Sequence, residues 1–221
     1  MQDDLHTGTE QTSKLTPFLG VHQIGEKISK DTIAISYPYE KAIKIFNTEN
    51  EAVVKVIQLH KYCCGLSFSN ESLAVGLKND EIRTIDLEGN TLKSIKVQNE
   101  SILNYLVYYD NRVIYSDYAA YAVICIDGSG KLIWQYTHYL FRPFELCIDT
   151  YGNTIVADRG TSTIKAISKD GQDSKVLVRK EDELNDSECI CFKIMNPTVL
   201  FVPKTANTWQ NSILVMSRQI H

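Results

Sequence analysis

The residues of this chain that could carry chemistry are few, and most are placed so as to do none. The six cysteines, at 63, 64, 125, 147, 189 and 191, form no Cys-x-x-Cys pair of the kind that holds zinc. His60 and His138 occupy one slot two repeats apart, which invites a metal. Such slots lie far apart in space, and no carboxylate pairs obviously with either, so a structural or surface role fits them better. Asp117 and Asp158 each close a strand-like run. They could contribute to a calcium or catalytic site, but capping of the adjoining loop by a side-chain acceptor is favoured. No Ser/His/Asp or Cys/His set suggests itself, and neither a Gly-x-Ser-x-Gly elbow nor a phosphate-binding glycine loop occurs. The sequence therefore predicts neither catalysis nor a cofactor.

Binding chemistry is better represented. Tyr37, Tyr39, Tyr118, Tyr121, Phe141, Arg159 and Trp209 all fall in segments expected to connect strands at one end of the molecule. Aromatic and arginine side chains dominate interface hot spots because they bury much area at low entropy cost. These seven are the candidate partner-binding residues, and a protein is the first partner expected. The competing reading makes the tyrosines structural filler wedged between sheets.

The elements that must position these residues repeat with a period near 40. Thr32-Ile-Ala-Ile-Ser36, Ser72-Leu-Ala-Val-Gly76, Arg112-Val-Ile-Tyr-Ser116, Asn153-Thr-Ile-Val-Ala157 and Thr198-Val-Leu-Phe-Val202 align, and Ser36, Gly76, Ser116 and Ala157 fall 40, 40 and 41 positions apart. A second run ends at Phe46, Ile85, Ile126 and Ile167. Strands at this period mean propeller blades. The fourth unit divides into four strands at Glu145-Leu-Cys-Ile148, Thr154-Ile-Val-Ala157, Thr163-Ile-Lys-Ala-Ile167 and Lys175-Val-Leu-Val178. Asp170-Gly171, Asp127-Gly-Ser-Gly130 and Glu88-Gly-Asn90 fill one hairpin slot, and Asn47-Thr-Glu-Asn50 fills it without glycine. Alternation places Arg83 with Ile85, and Lys165 with Ile167, on a shared strand face. The expected fold is all-β, a propeller of four-stranded blades, with about five visible of an expected six in an open or incomplete ring.

Residues 1–14 are polar and aperiodic and are expected to form a flexible lead-in to a domain over 15–221. The N-terminus lacks the pattern of a signal peptide, and no apolar run approaches the length of a membrane span. With cysteines at interior strand positions, the expectation is a cytoplasmic protein without membrane contact. Asn70-Glu-Ser72, Asn99-Glu-Ser101 and Asn185-Asp-Ser187 then read as turns rather than glycosylation acceptors.

The stretch Arg142-Pro-Phe-Glu-Leu-Cys-Ile-Asp-Thr-Tyr-Gly-Asn-Thr-Ile-Val-Ala-Asp158, continued by Ile164-Lys-Ala-Ile-Ser-Lys-Asp-Gly171, resembles an NHL repeat. The other units match more loosely, keeping the hairpin and losing the Pro and the Gly-Asn turn; together the likeness spans about residues 21–217. The arrangement is similar to the C-terminal propellers of tripartite-motif proteins, above all their molluscan-type expansions. That resemblance implies a substrate-selecting propeller of a ubiquitin ligase whose RING, B-boxes and coiled coil would lie upstream of Met1, with a further blade. It implies RNA as the second reading, since some NHL propellers take single-stranded RNA on the same face. Net charge of −4, pI near 5.7, and Glu181, Asp182, Glu183, Asp186 and Glu188 beside only Arg179 and Lys180 argue against phosphates. A calcium-dependent, lactonase-like six-bladed hydrolase is a third reading. Asp117 and Asp158 are its only plausible axial ligands, because Tyr37, Leu77 and Pro203 take the equivalent places.

Overall fold

Strands buried on both faces read as continuous apolar runs rather than alternating ones, and this explains the aligned pentapeptides. In the computed structural model each of them is the second strand of an antiparallel meander. The structure describes residues 25–78, 80–97 and 103–179 in full, and the backbone of 187–193, 198–203 and 214–216. The first blade comprises β1 (Gly25–Ser29), β2 (Thr32–Tyr37), β3 (Ala42–Asn47) and β4 (Ala52–Gln58). The second comprises β5 (Cys63–Ser69), β6 (Ser72–Leu77), β7 (Glu81–Asp86) and β8 (Thr91–Lys96). The third runs through β9 (Leu106–Tyr109), β10 (Arg112–Asp117), β11 (Ala122–Asp127) and β12 (Leu132–Tyr136). The fourth runs through β13 (Pro143–Ile148), β14 (Thr154–Asp158), β15 (Thr163–Ile167) and β16 (Ser174–Val178).

The described residues thus build a β-propeller of four four-stranded blades, which corrects the expectation of five visible blades of six. The fifth unit is a three-stranded sheet of β17 (Ser187–Lys193), β18 (Thr198–Pro203) and β19 (Leu214–Met216). Its sequence breaks the spacing after Pro203, where Lys204-Thr-Ala-Asn-Thr-Trp-Gln-Asn211 is inserted. The lead-in expected over 1–14 lies outside the described residues. Among the described residues no helix is long and apolar enough to cross a membrane.

The core lies between successive sheets. Ile43, Ile57 and Leu59 of the first blade pack on Leu66, Leu73 and Val75 of the second. Ala74, Ile82 and Ile95 meet Leu106, Val113 and Ile124 of the third. Trp134, Tyr136 and Val123 meet Leu146, Val156 and Ile167 of the fourth. Neighbouring residues of one strand therefore serve opposite interfaces, as the alternation of Ile82 and Ile85 requires. Each such buried aliphatic side chain contributes about 1.5–3 kcal/mol.

The small residue marking the period has a steric cause at Gly76. A Cβ there would stand 2.4 Å from the Leu103 carbonyl oxygen and 2.8 Å from Leu103 Cβ. The chain entering the third blade passes over this point, and side chains are excluded from it. At the opposite end, Gly89, Gly130 and Gly171 take φ of 95°, 90° and 73° in the hairpins between third and fourth strands, where glycine carries no Cβ penalty.

A meander sends its connections alternately to two ends. The upper rim holds the turns 38–41, 118–121 and 159–162 and residues 78 and 80, with the inter-blade segments 59–62 and 137–142. The lower rim holds the remaining hairpins.

Candidate partner-binding face

Every described turn between second and third strands ends in a left-handed residue, Lys41 (φ 56°), Asp80 (φ 57°), Tyr121 (φ 52°) and Ser162 (φ 50°). None is a glycine or an asparagine. The turn imposes that conformation whatever the residue, at a cost of about 1–2 kcal/mol, and in the third blade the residue it falls on is Tyr121. Its ring stacks on Phe141 with centroids 5.1 Å apart and planes 10° from parallel. Both remain exposed, at 43% and 51%.

Phe141 is held from three sides. Beneath it lies Gly160, where an added Cβ would come within 2.4 Å of Phe141 Cδ1. Its backbone N–H donates to the Asp158 carboxylate at 3.2 Å, and the Arg142 N–H donates to the same carboxylate at 2.8 Å. Asp158 also accepts from the Thr161 hydroxyl at 2.7 Å and from Lys165 Nζ at 3.1 Å. Burial works against the Asp158 charge, but these donors outweigh it and hold the carboxyl below its ordinary range. Lys165 Nζ donates as well to the Tyr139 carbonyl. The last residue of β14 thus ties the segment carrying Phe141 to its own blade.

The second blade has a related clasp. Glu81 accepts from Arg83 Nε at 2.9 Å, Arg83 Nη2 at 2.7 Å, Ser94 Oγ at 2.9 Å and Lys61 Nζ. Burial raises its pKa, yet the donors prevail and lower it from 4.5 to about 2. Arg83 Nη1 reaches back 3.5 Å to the Leu59 carbonyl, as Lys165 reaches Tyr139. Sequence reasoning missed both clasps as functional supports. The available signal was a basic residue at one register of the third strand, Lys44, Arg83 and Lys165, noted only as a mixed strand face.

The structure distributes the seven predicted residues unevenly. Tyr121 and Phe141 meet, and Arg159 lies beside Gly160 with its guanidinium carbon 5.6 Å from the Phe144 ring centre. Tyr39, 77% exposed, packs edge-on against Tyr62 at 5.7 Å. Tyr118 is exposed in the same turn as Tyr121. Tyr37 stands apart, half-buried against Phe46 at 6.3 Å with Lys44 Nζ 4.1 Å above its ring. Trp209 lies outside the described residues, as do the side chains of 180–188. Tyr139, 88% exposed, is a rim aromatic that the seven omitted.

Neither aspartate is presented as a ligand. Asp117 is buried and turns one oxygen onto the N–H groups of Ala119 and Ala120, at 3.0 and 2.9 Å. Among the described residues no three His, Cys, Asp or Glu side chains gather as a metal site. His138 packs edge-on against Tyr136 at 5.6 Å. Cys63, Cys64 and Cys125 are buried free thiols whose pKa values burial pushes up to about 11, 12 and 11, so they are poor nucleophiles.

No family model matches the chain, and no curated protein matches it. Solved structures do. A protein of unknown function from Bacteroides caccae superposes with a TM-score of 0.58 at 15% identity, over 84% of this chain and 72% of its own. The computationally designed Ika8 protein superposes with a TM-score of 0.56 at 14% identity, over 79% of this chain and 53% of its own. At these identities the likeness is one of fold.

Proposed function

We propose that this chain is a non-catalytic protein-recognition module that docks partners on its upper rim. The observation that carries the reading is the Tyr121–Phe141 stack, exposed yet fixed in place by Gly160 and by the Asp158 hydrogen bonds. A rigid aromatic anchor loses little entropy on binding, which is how hot spots gain their strength. The NHL-like residues of the fourth blade support the narrower reading, a substrate-selecting propeller resembling that of tripartite-motif ubiquitin ligases. In that reading the protein works in the cytoplasm, where its buried cysteines remain thiols.

The test is a random-peptide display selection on the immobilised full chain, followed by affinity measurement of the enriched peptides. Phe141→Ala and Tyr121→Ala should each weaken them by about 1–3 kcal/mol. Tyr121→Ala gives up the exposed stack and keeps the Cβ that the left-handed conformation penalises, so its melting temperature should fall only modestly. A lower-rim control, Tyr151→Ala, should bind normally. Peptides indifferent to both upper-rim variants would place the docking surface elsewhere.

A further inference from the structure

Among the described side chains, which leave out Glu181, Asp182, Glu183, Asp186 and Glu188, the two rims carry opposite charge. Lower-rim acids have a turn-forming reason to be there. Asp86, Asp127, Asp149 and Asp170 each accept backbone N–H groups within their own hairpins. In the described loops of the upper rim the acids are instead consumed internally. Glu81 lies under Lys61 and Arg83, Asp158 under Lys165, and Asp117 accepts from its own turn. Glu40 holds Lys44 at 2.8 Å. Of the rim acids, half-buried Asp80 is the one without such a partner among the described residues. Lys41, Lys78 and Arg142 are exposed and pair with no carboxylate among the described residues.

These cations stand beside the aromatic anchors: Lys41 shares a turn with Tyr39, Arg142 follows Phe141, and the Lys78 N–H donates to the carbonyl of Tyr62, whose ring packs on Tyr39. From this pairing we infer that the upper rim takes an extended acidic protein segment in which carboxylates alternate with apolar or aromatic side chains. The inference rests on the docking reading above and specifies its partner. Anchors of both kinds, set on different blades, match a chain whose successive side chains alternate in character. A nucleic acid would ask for a continuous cationic track and open stacking faces. Here the cations stand singly, Glu40 adjoins Lys41, and Tyr39, Tyr121 and Phe141 are each already engaged by a second ring.

Fluorescence anisotropy on the full chain tests the inference with four probes. They are a short peptide alternating Glu with Leu and Tyr, its Gln-for-Glu and Lys-for-Glu counterparts, and single-stranded oligouridylate. The Glu peptide should bind about tenfold more tightly than the Gln peptide, with the gap narrowing as salt rises. Lys41→Gln, Lys78→Gln and Arg142→Gln should each weaken the Glu peptide about threefold or more while leaving the Gln peptide unchanged. Lys131→Gln on the lower rim should change neither. Equal binding of Glu and Gln peptides, both weakened by Phe141→Ala, would overturn the acidic partner and leave docking intact. Peptide binding insensitive to Phe141→Ala would overturn docking itself. Failure of the Glu peptide to bind, or its displacement by oligouridylate at lower concentration, would also overturn the acidic segment.

Discussion

Glu81 and Asp158 show how a buried acid can serve a binding face without belonging to it. Each is enclosed by donors from its own blade and from the preceding inter-blade segment, and fixes a basic side chain that reaches back to that segment. Breaking such an enclosed pair leaves one charge stranded, which is costlier than the pair is stabilising. The sign of the pH dependence follows. The Glu81 carboxyl is held down from 4.5 to about 2, so its contribution is fully present above pH 4.5 and is lost as pH falls toward 2. Urea unfolding of wild type and Glu81→Gln should therefore differ most above pH 4.5, and the difference should shrink toward pH 2. A constant difference across that window would show that the carboxyl is not stabilised as described.

At the scale of elements, the second strand of each blade is the most constrained, because it packs on both faces. Gly76 sits near the end of β6 where the backbone at Leu103 crosses, and Gly65 N–H donates to the same Leu103 carbonyl at 2.8 Å. Gly76→Ala should destabilise the fold by about 1–3 kcal/mol through overpacking against main chain that cannot rotate aside. Chemical denaturation would measure it, and a neutral result would mean that the entry to the third blade is free to shift. The hairpin elements were legible beforehand because turn chemistry is local. Asp127, Gly130 and the Ile126 that precedes them suffice to place β11 and β12. The basic register of Lys44, Arg83 and Lys165 was visible too, but the carbonyls of Leu59 and Tyr139 that Arg83 and Lys165 reach lie 24 and 26 positions back in the preceding inter-blade segments, so its meaning was not.

For the whole molecule, the substantial contacts between sheets among the described residues join successive blades, so stability is distributed along a series of interfaces. The second and third blades are covered on both faces by described neighbours. Their inner strands β6 and β10 should show the slowest amide hydrogen exchange, whereas the edge strands β4, β8 and β12 should exchange early. Exchange that is uniform across inner and outer strands would argue for one all-or-none unit. At this scale, too, the net charge of −4 loses its simple meaning. Among the described side chains an acidic lower rim stands against an upper rim whose exposed loop cations outnumber its uncommitted acids, and Glu181, Asp182, Glu183, Asp186 and Glu188 add to the negative total from outside them.

The amino-acid order by itself determined the period, the strands and the turns, because alternation, glycine at positive φ and Asx acceptors act within a few residues. Tertiary structure decided which aromatics point outward, which acids are neutralised and how the charges sort between rims. Those outcomes depend on side chains about 20 to 40 positions apart meeting across blade interfaces, and no local pattern records which of them will meet.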